Sequence, residues 1–259
     1  KNKINVRNPR RADIIHYKQS LVGEGKTPTT INTYLIPVRN FFAWTETRGI
    51  YENIAAGIRS PKENRDYRKD YLKPDQVAKL LNLIPIETLA GKRDYAMINL
   101  MLVYALRRIE ILRLLIQDLK IENSEPVLYI QRKGRDYKEP ILLLPEVYET
   151  IQTYLKARIN FAETDPLFGN HSPHPRNTLS EVMFSKIIKK YLKQINDSKK
   201  LTCHSLRHSA AINLLKAGKS IYEVKELLGH STVKTTELYL AAIKAETRFN
   251  NPLARDVNN

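Results

Sequence analysis

Thr202-Cys203-His204-Ser205-Leu206-Arg207-His208, followed by Leu228-Gly229-His230 and then by Thr235-Thr236-Glu237-Leu238-Tyr239, is the part of the chain whose reading decides the fold. Thr202 is an N-cap residue type, and the helix it predicts, from about His204 to Lys216, stops at Gly218, where glycine tolerates the left-handed backbone of a helix end. His204 and Arg207 stand three apart and therefore share a helix face. Ser220 and Glu223 make a capping box for a second short helix, which Gly229 closes just before His230. Ser231 or Thr235 is placed to cap a third helix carrying Leu238 and Tyr239. Three short helices in succession are thus expected to bring His204, Arg207, His230 and Tyr239 together.

Upstream, the chain is punctuated into further helices. Apolar residues at helical spacing over 10–22 end at Gly23. Thr27-Pro28 supplies a cap and a first-turn proline for a second helix, whose predicted core face is Ile31, Tyr34, Leu35, Val38, Phe41, Phe42 and Thr45. Pro37 removes one backbone hydrogen bond and predicts a kink over Thr33 to Pro37. Residues 59–71 are polar and aperiodic and read as a linker between a helical domain, 1–58, and a larger domain, 72–259. In the larger domain a helix starts near Lys73-Pro74-Asp75, and residues 93–115 are apolar on all sides, as central buried helices are. Arg107 within that run needs a partner, since an unpaired buried charge is costly, and Glu110 stands three residues on. Val127–Gln131 and Pro140–Leu144 read as a β-hairpin around Arg132-Lys133-Gly134-Arg135. Helices follow at 145–157 and 179–192, with a loop over 165–177 between them. The fold class is therefore mainly α with a small antiparallel sheet, in two domains.

The chain carries 43 Lys and Arg against 27 Asp and Glu, a formal net charge of +16, which points to a polyanionic partner, and nucleic acid leads. Residues 1–70 hold 14 basic against 7 acidic side chains, so both domains are basic. Lys26 and Arg39 lie off the apolar stripe of their helices, Arg65 lies in the linker and Arg135 in the hairpin turn; all four are expected to meet phosphate. The single cysteine, Cys203, excludes an internal disulfide or a cysteine-based zinc cluster. No apolar run approaches a membrane span and no secretory signal opens the chain. A cytoplasmic, nucleoid-associated prokaryotic protein without a membrane partner is expected. The chain does not begin with Met and reads as a fragment or a trimmed chain.

In order along the chain, His204-Ser205-Leu206-Arg207, Leu228-Gly229-His230 and Tyr239, preceded by Leu106-Arg107-Arg108-Ile109-Glu110 and by Lys133-Gly134 in a hairpin, resemble the motifs of the tyrosine recombinases, the phage-integrase family. One departure is Tyr104-Ala105, where the family commonly has Thr-Gly. The resemblance covers most of the chain. It implies a C-shaped two-domain clamp of a core-binding domain and a catalytic domain, with Arg107, Lys133, His204, Arg207, His230 and Tyr239 as the catalytic set and Tyr239 as nucleophile. It further implies double-stranded DNA with inverted-repeat sites as partner and a 3′-phosphotyrosyl intermediate. Four protomers would exchange strands on two sites through a Holliday junction, docked by the tail after Ile243.

That chemistry suits the residue types. Two arginines grip the non-bridging oxygens of a phosphodiester, and a tyrosine with an ordinary pKa near 10 needs a cationic or basic setting to attack at neutral pH. His204 would accept its proton or orient the phosphate, Lys133 would protonate the leaving 5′ oxygen, and His230 would donate a hydrogen bond. Glu110 reads as a structural partner of an arginine. No metal and no cofactor are needed. Two other functions share these features: DNA relaxation like that of a type IB topoisomerase, and an inactive DNA-binding architectural protein.

Overall fold

A computed structural model of the chain describes residues 8–62, 70–159, 161–171, 179–195 and 201–250, residues 245–250 by backbone alone. The chain divides into two compact units, Lys1–Asp66 and Tyr67–Asn259. In the first, α1 (Arg11–Gly23) is followed by α2 (Pro28–Thr47). Thr27 caps α2 by accepting the Thr30 N–H at 3.3 Å, and Pro28 fills the first turn, where no N–H is required. The helix runs on through Pro37. Ile31, Leu35, Phe42 and Thr45 of α2 bury against Ile14 and Leu21 of α1 and against Ile54, Ala55 and Ile58.

Tyr34 and Phe41, expected in that core, are instead 47% and 55% exposed. Each precedes a buried residue, Leu35 or Phe42, and so is rotated about 100° from it around the helix. Among the described residues of this unit, the core partners of α2 are α1 and the segment around residues 54–58, and the buried arc stops short of Tyr34 and Phe41. Phe41 lies beside Trp44, at 6.3 Å between ring centroids, and the Arg48 guanidinium sits 6.0 Å from the Trp44 ring.

The second unit contains α3 (Pro74–Asn82), α4 (Leu89–Val103) and α5 (Arg108–Leu112), then strands β1 (Leu119–Glu122), β2 (Glu125–Ile130) and β3 (Glu139–Leu142). Helices α6 (Pro145–Ala157), α7 (Glu181–Ile195), α8 (Cys203–Lys216), α9 (Ile221–Leu228) and α10 (Val233–Asn250) complete it. The apolar run that starts at residue 93 forms α4, whose Ala96, Met97, Ile98, Leu100 and Met101 are all but inaccessible and which packs on α6, α7 and α8. Its buried Arg93 and Asp94 satisfy each other: Arg93 Nε donates to Asp94 Oδ1 at 2.9 Å and Nη1 to the Gly169 carbonyl at 2.9 Å, while Tyr191 Oη donates to Asp94 Oδ2 at 2.9 Å. This is the satisfied arrangement a buried ion pair requires.

The sheet has three strands in the order β1-β2-β3, both pairs antiparallel, one more than the hairpin read from the sequence. The added strand folds back through Asn123 and Ser124, whose φ values of +49° and +67° make the tight turn that a two-residue hairpin loop demands. The loop from β2 to β3 carries Lys133 and turns at Gly134, φ +85°. Among the described residues no helix is long and apolar enough to cross a membrane.

Candidate active site

Helix α8 begins at Cys203, and the bond that closes its first turn runs from the Thr202 N–H to Ser205 Oγ at 3.1 Å. Gly218, φ +88°, ends it, with the Lys219 N–H reaching back to the Leu214 carbonyl at 3.1 Å. The Ser220–Glu223 box starts α9: the Glu223 N–H donates to Ser220 Oγ at 3.2 Å and the Ser220 N–H to Glu223 Oε2 at 2.8 Å. Gly229, φ +59°, ends it and turns the chain into His230. Arg132 lies across this glycine so closely that a Cβ there would come within 3.2 Å of its Cδ. Helix α10 begins at Val233, so Thr232, rather than Ser231 or Thr235, precedes its first turn; the Thr232 and Thr235 hydroxyls are 3.3 Å apart.

The two arginines are held in different ways. Arg107 caps α5, where its N–H donates to Glu110 Oε2 and its Nη1 to Glu110 Oε1, each at 2.8 Å; its side chain remains 22% exposed. Arg207 is only 2% exposed, and its guanidinium donates to the carbonyls of Ala105 and Leu228. The Tyr104-Ala105 departure falls here. Ala105 has φ +50°, a left-handed conformation that an L-residue adopts at a cost and glycine adopts freely, and it presents its carbonyl to Arg207 all the same. Tyr104 takes a separate place, its hydroxyl accepting the Leu144 N–H at 2.5 Å. Burial first, and then the neighbouring Arg107 charge, lowers the Arg207 pKa to about 10.

Glu110 is fully buried and ties the site together. Its carboxylate also accepts the Lys133 N–H at 3.2 Å and lies 3.8 Å from Arg132 Nη1. Burial alone would raise its pKa; the Arg107 hydrogen bonds and the Arg107 and Arg132 charges outweigh that and hold it below the usual carboxylate range. Arg132 in turn donates from Nε to Glu139 Oε1 at 2.7 Å. One carboxylate thus fixes Arg107, the backbone of Lys133 and, through Arg132, the turn at Gly229.

A cavity of about 550 Å³ is lined by Arg107, Lys133, His204, Arg207, His230 and Tyr239, together with His208 and Arg135. All six sequence-predicted catalytic residues therefore face one space. A second cavity, about 920 Å³, shares Arg107, Lys133, His204 and Arg207 with it and adds Cys203. His230 Nδ1 lies 3.0 Å from the hydroxyl of the fully buried Thr236, which sets its ring; burial, and then Arg207 and Arg107, lower its pKa to about 4, so it is neutral at pH 7. Tyr239 is 4% exposed, its pKa raised by burial against the pull of Arg207 and Arg107.

The partner of the Tyr239 hydroxyl is a residue that sequence reasoning passed over: His208 Nδ1 stands 2.8 Å from Tyr239 Oη. The signal was present, since His208 is four residues after His204 and shares its face. Their rings meet edge to face at 4.6 Å.

Of the expected phosphate contacts, Arg135 lies at the cavity, ion-paired with Glu139. Lys26 is exposed, 3.7 Å from Glu24. Arg39 is half-buried, and its guanidinium donates to Ser60 Oγ at 2.7 Å and to Asn32 Oδ1 at 3.4 Å. Arg65 and the tail beyond residue 250 lie outside the described residues. Among the described residues no group of three His, Cys, Asp or Glu stands close enough to hold a metal ion.

Residues 70–246 match the model of the phage integrase family. The chain is similar to the tyrosine recombinase XerD of Listeria innocua, 32% identical over 90% of this chain and 78% of that one, and to a tyrosine recombinase of Pseudothermotoga lettingae, 30% identical over 95% and 82%. Its fold is similar to that of the XerH site-specific recombinase bound to a palindromic difH substrate, at a TM-score of 0.77 and 20% identity over 95% of this chain and 72% of that one. It is similar also to the fold of the Tn1549 transposon integrase in complex with a circular intermediate DNA, at a TM-score of 0.69 and 20% identity over 93% and 85%.

Proposed function

The chain belongs to the phage integrase family and is a tyrosine site-specific recombinase, and from that premise we propose that Tyr239 attacks a DNA phosphodiester held in the 550 Å³ cavity. The observation that carries this reading is the convergence of six side chains from α5, the β2–β3 loop, α8, the α9–α10 turn and α10 on that one space. Arg107 and Arg207 grip the non-bridging oxygens, where negative charge gathers as the phenolic oxygen bonds to phosphorus. His204 faces the phosphate, and His230 donates a hydrogen bond to it with its other nitrogen set by Thr236. Lys133, exposed on its turn, gives a proton to the 5′ oxygen as the P–O5′ bond breaks.

The products are a 3′-phosphotyrosyl bond and a free 5′-hydroxyl. Attack by a partner strand's 5′-hydroxyl reverses the step, so no external energy source is required. Four protomers on two inverted-repeat sites would pass strands through a Holliday junction, joined by the tail after Ile243, in the integration, excision or resolution of a mobile element. Residues 1–58 serve as the core-binding domain, 59–71 as linker and 72–259 as catalytic domain, with Lys26, Arg65 and Arg135 meeting phosphate.

The test uses a duplex that the wild-type protein selects from a random-sequence pool, nicked so that the cleaved end diffuses away. Wild-type protein is expected to form an adduct stable on a denaturing gel, whereas Tyr239→Phe binds equally and forms none. Undiminished adduct in Tyr239→Phe would remove Tyr239 as nucleophile.

A further inference from the structure

Resting on the reading of Tyr239 as nucleophile, we propose that His208 is a further catalytic residue, the group that takes the phenolic proton. A tyrosine attacking phosphorus must lose its proton, and an acceptor has to lie within about 2.6–3.2 Å of the oxygen that carries it. His208 Nδ1 meets that condition at 2.8 Å, with the two ring centroids 5.3 Å apart and tilted by 56°.

The placement follows from the helix. Positions 204, 207 and 208 lie on one face of α8, so the turn that aims His204 and Arg207 into the cavity also aims His208. His208 is only 5% exposed and Tyr239 only 4%, so bulk water has little access to the transfer. His204, by contrast, is exposed at the cavity and presses its ring against that of His208, which leaves it facing incoming phosphate. Among the described residues, the ionisable groups at the cavity around the pair are His204 and Arg207 on α8, Arg107 with Glu110 from α5, Lys133 and Arg135 from the β2–β3 loop and His230 from the α9–α10 turn. Among the described residues, α8 also packs on α9 and α10 through apolar residues, Ala210, Ala211, Val224 and Leu228 among them.

The step balances. The step requires the His208 tautomer that carries its proton on Nε2 and accepts at Nδ1; the Tyr239 O–H bond breaks as the N–H bond forms, and the phenolic electron pair makes the P–O bond. The P–O5′ bond then breaks and its oxygen takes a proton from the Lys133 ammonium. In strand joining the incoming 5′-hydroxyl gives its proton to Lys133, and His208 returns its own to the departing tyrosine.

The test compares His208→Asn and His208→Ala with wild-type protein on the selected, nicked duplex. Asparagine keeps a polar atom near the Nδ1 position but accepts no proton. At pH 7 His208→Asn is expected to bind as wild-type does and to form adduct about 10²- to 10⁴-fold more slowly. Its rate should climb roughly tenfold per pH unit from 7 to 9 as Tyr239 ionises unaided, while the wild-type rate is flat over that range. Added imidazole should raise the rate of His208→Ala. A duplex with sulfur as the bridging 5′ atom, a leaving group that needs no acid, should rescue Lys133→Ala and leave His208→Asn slow. A wild-type rate in His208→Asn, or a slow rate with an unchanged pH profile and no imidazole response, would overturn the proposal and leave His208 a packing residue. Absence of adduct from wild-type protein would instead strike at the reading of Tyr239 itself.

Discussion

Replacing Glu110 by Gln tests whether one buried carboxylate assembles the site. The substitution keeps the shape of a fully buried side chain but removes its charge and turns an amide NH₂ toward donors it cannot accept from. At stake are the Arg107 N–H at 2.8 Å, Arg107 Nη1 at 2.8 Å, the Lys133 N–H at 3.2 Å and the Arg132 charge at 3.8 Å. Hydrogen bonds to charged groups contribute about 1.5–3 kcal/mol each, and removing one partner of a buried pair costs about 3–5 kcal/mol, so we expect a loss of about 3–5 kcal/mol. For a unit of 150–250 residues that is roughly a 6–20 °C fall in Tm. Urea unfolding followed by circular dichroism reads it. A pH series supplies the sign. The folded pKa of Glu110 lies below its ordinary value of 4.5, so its contribution is present above that value and is lost as pH falls through the folded pKa. Wild-type and Glu110→Gln curves should therefore converge in acid. A difference under about 1 kcal/mol at pH 7, or one that does not shrink on acidification, would refute the reasoning.

Three further outcomes follow from the same surroundings. Ala105→Val puts a β-branched residue at φ +50° in a fully buried position and should cost about 2–4 kcal/mol in urea unfolding. Ala105→Gly relieves about 1–2 kcal/mol of left-handed strain but sheds a buried methyl and loosens the unfolded chain, so it should change stability by less than about 1 kcal/mol. His230, held near pKa 4 against 6.5 for the free side chain, binds fewer protons folded than unfolded between those values. Stability should therefore fall as pH drops from about 6.5 to about 4, and His230→Gln should flatten part of that slope in a pH series of unfolding midpoints.

The helices, and with them the meeting of His204, Arg207, His230 and Tyr239, were legible because they are written in local signals: caps at Thr27 and Ser220, stops at Gly218 and Gly229, and residue pairs three apart on one face; Arg107 and Lys133 joined that group only through the resemblance. Strand β1 carried a weaker signal, the Asn123-Ser124 turn, in a stretch too short and polar to alternate clearly. The misplaced Tyr34 and Phe41 mark the limit of periodicity, which finds an apolar stripe but not how much of it a neighbour covers. Arg39 lies off the apolar stripe as read, and its partners Ser60 and Asn32 are brought to it only by the fold. His208 was legible as a face-sharing residue; its role depends on where α10 crosses α8, which no local spacing encodes.

Ala105 and Arg207 together explain why the departure from Thr-Gly is tolerated. What Arg207 uses at that position is a carbonyl, and any residue that accepts a positive φ supplies one. The methyl side chain of Ala105 is fully buried in one apolar cluster with Ala210, Ala211, Ile212 and Val224. Carbonyl anchoring also leaves the guanidinium's full charge in play, whereas Arg107 shares its charge with Glu110. The cavity therefore holds more positive charge than its one buried carboxylate offsets. The consequence is already visible in the protein: neighbouring cations add to burial in lowering Arg207 to about 10 and His230 to about 4. On the proposed reading, a phosphodiester entering between the arginines would offset part of that excess positive charge. It would relieve the mutual repulsion of Arg107 and Arg207 as it binds, and the relief would grow as charge accumulates on its oxygens during attack.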